Sequence, residues 1–266
     1  MEPLEGTDTA APVASAAPAD ATAGSGWRTW TRVAADLVFP PSCVHCGDLV
    51  EGSPLRLVCA ACVPLLVRVE PPCCPSCGHP FFGEASGERI CVHCEGLRPE
   101  FGEGRTAVLF RGPARSLVHT LKYRHGLHVL GDMARIVATN AHVAEFLRGA
   151  VLVPVPLHSR KARERGYNQA SEYAAALVRE LGGETRCEAV LVRVLDTQTQ
   201  TSLDRVQRQA NLKNAFALAP GAAINPVLRY VLIDDVFTTG STLNACAAVL
   251  RRAGALKLDV CTFGHG

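Results

Sequence analysis

From residue 105 onward, apolar positions alternate between two periods. Arg105–Arg111 (RTAVLFR), Val151–Pro156 (VLVPVP), Glu188–Leu195, Arg229–Ile233 and Lys257–Thr262 are short apolar runs that read as strands. Between them, Pro113–Tyr123, Leu127–Leu147, Asn168–Leu181 and Ser241–Ala253 space their apolar residues as helices do. Strands separated by helices imply right-handed crossovers and a parallel sheet covered on both faces, an α/β architecture. Asp196–Asn211 is polar and too long for an ordinary connection, so it is expected to be mobile or functional. Upstream, Trp27, Trp30, Val33, Leu37 and Val38 fall on one face of a short amphipathic helix, Trp27–Phe39, stopped by Pro40 and Pro41. Residues 1–25 lack periodicity and are too polar to offset the entropy of ordering them, which predicts disorder. The expected organisation is therefore a disordered segment 1–25, a cysteine-rich region 26–98 that includes the amphipathic helix, and an α/β domain 99–266.

Composition adds exclusions. The 266 residues are 48% hydrophobic and 20% charged, with a formal net charge of +2, so no global basic field argues for nucleic acid. No apolar run approaches the ~18 residues of a membrane helix, and no basic region followed by a hydrophobic stretch opens the chain. The expectation is a cytoplasmic protein without membrane insertion.

Nine of the 12 cysteines lie between Cys43 and Cys94, and there they form an internal repeat. CVHCG at 43–47 is followed by CAAC at 59–62, and CPSCG at 74–78 by CVHC at 91–94. Two thiolates separated by two residues can face one tetrahedral ion, and the glycine after the second lets the backbone turn with positive φ. Four such pairs supply eight ligands (Cys43, Cys46, Cys59, Cys62, Cys74, Cys77, Cys91 and Cys94), enough for two closed structural Zn²⁺ sites. Disulfides are the competing reading, and nothing indicates an oxidising compartment. The repeat favours consecutive pairing, a cross-braced arrangement stays open, and Cys73 could stand in for Cys74. His45 and His93 inside the knuckles read as surface residues, as do His119, His125, His128 and His142. Cys187, Cys246 and Cys261 read as small core residues.

The segment Tyr230–Thr242, YVLIDDVFTTGST, carries the densest chemistry. A buried strand ends in Asp234 and Asp235, and Thr238-Thr239-Gly240-Ser241-Thr242 then opens a helix. Ligands of parallel sheets bind at the carboxyl ends of strands. Successive amides and hydroxyls at a helix N-terminus make a phosphate cradle, and Gly240 allows close backbone approach. The two acids would repel phosphate, so sugar hydroxyls or a divalent cation are their expected partners. A turn and an N-cap would explain either half alone. Their order after a buried strand favours a phosphorylated sugar. Neither GxxxxGK[ST] nor GxGxxG is present, which excludes a P-loop NTPase and a dinucleotide binder.

Residues 230–242 resemble the 5-phosphoribosyl-1-pyrophosphate (PRPP) motif of type I phosphoribosyltransferases. Residues 40–265 as a whole resemble the competence protein F (ComF) family, through Leu121-Lys122-Tyr123, Val153–Pro156, Arg165-Gly166-Tyr167-Asn168-Gln169, Thr197–Gln200, Arg205, Arg208 and Asn211. The resemblance implies a type I phosphoribosyltransferase fold, a parallel sheet flanked by helices, preceded by a small zinc-ribbon domain. It implies that Thr238, Thr239, Gly240, Ser241 and Thr242 hold the 5-phosphate, and Asp234 and Asp235 the ribose hydroxyls. Val153–His158, with Arg160 and Lys161, would be the region that contacts pyrophosphate near the Mg²⁺. Thr197, Gln198, Gln200, Arg205, Arg208 and Asn211 would belong to a loop closing over PRPP. Lys122, Pro154, Arg165, Gly166, Asn168 and Gln169 complete the family motifs. In Ser159–Arg165 four of seven residues are basic, which fits either a solvated helix face or a clamp on the leaving group. Purine-salvage relatives place a carboxylate where this chain has Thr238, a poor general base.

Two functional classes follow from the resemblance. One is Mg²⁺-dependent phosphoribosyl transfer from PRPP to an unassigned acceptor. The other is a catalytically silent PRPP-sensing or DNA-handling factor whose partners would include single-stranded DNA and competence proteins. Tyr123 and Tyr167 are the best candidates for base stacking, although few aromatics are available. A purely structural zinc adaptor leaves the TTGST cradle unexplained. Relatives of this fold often pair, which makes a homodimer a candidate state.

Overall fold

The computed structural model describes residues 40–82, 90–123, 126–158, 163–164, 166–195, 212 and 214–266. The predicted helix over 27–39, the predicted disorder before it and the whole polar 196–211 segment lie outside these residues. Pro41–Gly266 forms one compact unit.

Its centre is a five-stranded, all-parallel sheet in the order β1-β7-β6-β2-β3. The strands are β1 (Gly104–Leu109), β2 (Val151–Pro154), β3 (Arg186–Cys187), β6 (Arg229–Phe237) and β7 (Lys257–His265). A separate antiparallel pair joins β4 (Leu191–Arg193) to β5 (Phe216–Leu218). The helices are α1 (Gly112–Tyr123), α2 (Leu130–Ala138), α3 (Ala141–Leu147), α4 (Gln169–Leu181) and α5 (Ser241–Arg252).

Alternate strand residues feed two cores, as a period of two requires. Leu152, Val231, Ile233, Cys261 and Phe263 pack with α1, α2 and α4 through Leu117, Leu121, Met133, Ile136, Tyr173 and Leu177. Val151, Val153, Tyr230, Leu232, Leu258 and Val260 pack with α5 through Cys246, Ala247 and Leu250. Tyr173 and Phe263 meet edge to face at 6.1 Å between ring centres. Each such fully buried side chain contributes about 1.5–3 kcal/mol relative to exposure.

The helix expected over Leu127–Leu147 is instead a 3-10 turn (Leu127–Val129) followed by α2 and α3. Asn140 makes the break: it is extended, caps Val143 and donates from Nδ2 to Val69 O. A side chain that serves a neighbouring loop in this way competes with a continuous helix. Cys187 also departs from expectation. It is exposed on the two-residue edge strand β3, whereas Cys246 and Cys261 are buried.

The cysteine region is packed onto the sheet. Cys43, Cys59 and Cys62 belong to the core shared with α1 and α2, and Cys74, Cys77, Cys91 and Cys94 to the core shared with α5. Buried Asp132 on α2 accepts the amides of Arg56 (2.9 Å) and Leu57 (2.7 Å), fastening the first half. The second half meets β1 backbone to backbone. Gly104 N donates to Pro75 O at 2.7 Å, and Thr106 Oγ1 donates to Cys77 O at 2.9 Å. A Cβ on Gly78 would lie 2.5 Å from Thr106 N, so only glycine permits this contact. Between the halves, residues 67–69 run antiparallel along the outer side of β1: Val69 N donates to Ala107 O and Leu109 N to Val67 O, both at 2.9 Å.

Candidate functional site

The structure brings the cysteines together in consecutive quartets, Cys43/Cys46/Cys59/Cys62 and Cys74/Cys77/Cys91/Cys94. The cross-braced alternative does not occur, and Cys73 stands apart, 3.7 Å from His142 Nε2. Sulfur separations of 3.6 Å (Cys46 to Cys59) and 3.4 Å (Cys77 to Cys91) are close to the ~3.7 Å edge of a tetrahedron with 2.3 Å zinc–sulfur bonds. The two halves repeat one backbone design. Gly47 N and Gly78 N return to Cys43 O and Cys74 O, and Val50 N and Phe81 N to Pro41 O and Pro72 O. Each quartet holds at least one thiol driven toward thiolate, Cys43 in the first and both Cys74 and Cys91 in the second. Burial raises Cys43, but amides of Cys46, Cys59 and His45 outweigh it and hold it near 6. Cys74 is lowered by hydrogen bonds from Cys77, Cys91 and Cys94. Four thiolates with no open position fit structural zinc.

At the carboxyl ends of β2 and β6 lies a cleft of ≈ 530 Å³. Asp234–Leu243, Val155–Leu157, Lys122, Tyr123, Gln169 and Arg193 line it. Strand alternation sends the two acids to different faces. Asp234 follows Tyr230 and Leu232 toward α5, and Asp235 follows Val231 and Ile233 toward α1. There the Lys122 ammonium, at the end of α1, meets Asp235 Oδ1 at 2.9 Å. Asp235 Oδ2 is buried with no hydrogen-bond partner among the described residues. Asp234 Oδ1 accepts the Asp235 amide at 2.8 Å. Burial, and then the neighbouring Asp235 charge, push the Asp234 carboxyl up to about 7, against smaller opposing effects of the Asp235 amide and Lys122.

The following loop turns on Gly240, which has φ +72° and N-caps α5. A Cβ there would stand 2.6 Å from the Phe237 ring and 3.2 Å from Leu97, a residue following the second cysteine quartet. The amides of Thr238, Thr239, Gly240 and Thr242 have no partner among the described residues. Thr239 Oγ1 and Ser241 Oγ lie 3.0 Å apart beside them. Free amides at the start of a 12-residue helix form an anion cradle.

The family-motif residues gather around this cleft. Asn168 caps α4 through the Ala170 amide and donates to Val155 O at 3.1 Å, fixing the segment after Pro154. Buried Gln169 lines the cleft, and Gly166 has φ +79°. The Tyr167 hydroxyl donates to Leu121 O, next to Lys122, so this ring is partly buried in a positioning contact. Tyr123 is 65% exposed at the cleft and packs against His119. Arg160, Lys161, Arg165, Thr197, Gln198, Gln200, Arg205, Arg208 and Asn211 lie outside the described residues. Sequence reading missed Arg193, hidden in a strand pattern, whose guanidinium lies 5.4 Å from the centre of the Phe216 ring.

It also missed a cluster of imidazoles. His93, expected at the surface, is half-buried and packs at 4.6 Å against His79 and 4.8 Å against His265, between ring centres. Burial, then His79 and His93, push His265 down to about 4, and burial followed by His93 lowers His79. His45, His119 and His128 are exposed as expected, whereas His142 is half-buried beside Cys73.

Residues 34–95 match the double zinc ribbon domain family. Competence protein F of Haemophilus influenzae is 30% identical over 224 residues, which cover 82% of this chain and 94% of that one. DNA utilization protein YhgH of Salmonella typhimurium is 33% identical, covering 76% and 88%. Competence protein ComFC of Bacillus subtilis is 25% identical, covering 76% and 80%. Among solved structures, a hypoxanthine phosphoribosyltransferase from Staphylococcus aureus aligns at TM-score 0.31 and 14% identity, covering 51% of this chain and 62% of that one. With cysteine quartets inside the matched ribbon and 30% identity to competence protein F over 82% of this chain, the chain belongs to the competence protein F family.

Proposed function

We propose that the cleft binds PRPP with Mg²⁺ and that the protein transfers its phosphoribosyl group to an acceptor. One observation supports this above others: unpartnered amides at the start of α5 face the same cleft as the paired acids of β6. An anion cradle beside carboxylates suits a ligand that carries phosphate at one end and a diol next to it.

In this reading Thr238–Thr242 grip the 5-phosphate, while Asp234 and Asp235 accept hydrogen bonds from the ribose hydroxyls. Lys122 holds Asp235 in place and offsets its charge. Carboxylate oxygens at the strand end are hard donors that fit a magnesium-class cation. Bound with the substrate, Mg²⁺ would neutralise the leaving oxygens. The bond between C1 and pyrophosphate breaks as the acceptor bonds to C1. The carboxylates beside the ring then stabilise the positive charge that develops on it. Arg160 and Lys161 are proposed as the clamp on departing pyrophosphate, and residues 197–211 as the closing loop. Dimerisation and a cytoplasmic location belong to the same reading.

Thr238 favours a second reading. It is exposed where purine-salvage relatives place a carboxylate, so no side chain there is suited to take a proton from a purine acceptor. Relatives named for competence and DNA utilization make a silent PRPP-binding factor in DNA uptake the alternative. Single-stranded DNA and competence proteins would then be its partners.

Titration calorimetry of the zinc-loaded chain with PRPP and Mg²⁺ tests the shared part. Saturable heat that disappears in Asp234→Asn/Asp235→Asn is expected, and an absence of heat in the unaltered chain would remove both readings. Pyrophosphate release with a panel of bases then separates transferase from sensor.

A further inference from the structure

We infer that His79, His93 and His265 form a third metal site, made only of imidazole and distinct from the thiolate quartets. Their ligand nitrogens all lie within 4.8 Å of one another, so a modest closure brings three donors onto one ion of the zinc class. His265 supplies an independent indication. It is 3% exposed, and neither ring nitrogen has a hydrogen-bond partner among the described residues. A buried imidazole must have its polar atoms satisfied or lose their hydration outright, and a metal bond satisfies one of them.

The cluster is not a by-product of the ribbon design. The two ribbons superpose in sequence knuckle on knuckle, and the first has Asp48 and Ala61 where the second has His79 and His93. The second ribbon also holds its two ligands rigidly. The His79 amide donates to Cys77 Sγ at 3.4 Å and its carbonyl accepts from Cys74 N, while His93 lies between Cys91 and Cys94. The third ligand closes β7, its ring stacked on Phe237 at 5.1 Å. Phe237 is in turn the residue that a side chain at Gly240 would strike. An ion here would join ribbon, sheet and anion loop at one point. Three protein ligands leave a coordination position open, and His79 and His93 are partly accessible to solvent.

The probe is Co²⁺ added to the full-length chain with both thiolate sites already filled by zinc. The expected result is one equivalent with ligand-field absorption and no thiolate charge-transfer band. His79→Asn and His93→Asn should each weaken it by roughly 100-fold or more while two zinc ions per chain remain, a loss at least as large as that from altering a ligand's supporting contacts. His45→Asn, in the other ribbon, should leave it unchanged. Cobalt absorption that is absent, carries thiolate charge transfer alone, or persists in both His79→Asn and His93→Asn would overturn the site. None of these readouts involves PRPP, so their failure would leave the proposed function standing.

Discussion

Removing the Lys122 ammonium would leave Asp235 buried without a counter-charge. Lys122→Met is therefore expected to lower stability by about 3 kcal/mol at pH 7, since breaking a buried ion pair costs more than the pair contributes. Adding Asp235→Asn should restore much of that in urea denaturation. Asp234 behaves in the opposite sense. Its carboxyl is raised from 3.8 to about 7, so the native state binds more protons than the unfolded chain between those values. Stability from this group is greatest below pH 4 and declines as pH rises to 7. Burial is the main cause, followed by repulsion from Asp235, with the Asp235 amide and Lys122 partly offsetting both. A tenfold change in proton affinity is worth ~1.4 kcal/mol, reduced here by solvent in the cleft. Asp234→Asn should thus gain about 1–2 kcal/mol over the unaltered chain between pH 5 and pH 8 in denaturant melts. A site that destabilises its own fold is common where function fixes the residue.

Among the elements, those with strong periodicity were legible in sequence. β1, β2, β6, β7, α1, α4 and α5 fall within a few residues of expectation. The strands β3 and β5, two and three residues long, escaped because runs so short have no period to read. The Asn140 break escaped because its cause is a carbonyl 71 positions away. The cysteine quartets were legible because spacing alone nearly fixes tetrahedral ligation, and the DDVFTTGST segment because order along the chain equals order around the cleft. The imidazole cluster and Lys122–Asp235 were not, since each joins elements distant in sequence. Asp132 is a similar long-range tie, and Asp132→Ala should cost about 2 kcal/mol by orphaning two amides. Hydrogen exchange should quicken at Arg56 and Leu57 well before it does at Val231 or Leu232.

At the scale of the molecule, seven of the eight quartet cysteines, all but exposed Cys46, sit inside the two cores that also hold the sheet together. Zinc binding to such sites is folding free energy, so removal should be felt beyond the ribbons. Treatment with a strong chelator is expected to release two thiolate-bound zinc ions per chain and lower the melting temperature of the whole 41–266 unit. Calorimetric scans should show this as one shifted transition. An early melt of the ribbons followed by an unshifted main peak would mean that the ribbons are independent appendages.

The inter-ribbon stretch 67–69, lying along the outer side of β1, has a consequence for the cell. It occupies backbone groups that would otherwise template a foreign strand, and the opposite border of the sheet, β3, is only two residues long. Under zinc starvation the destabilised unit would release this guard more often, and the bared border would invite aggregation. Trace-metal supply thereby becomes a determinant of the protein's solubility.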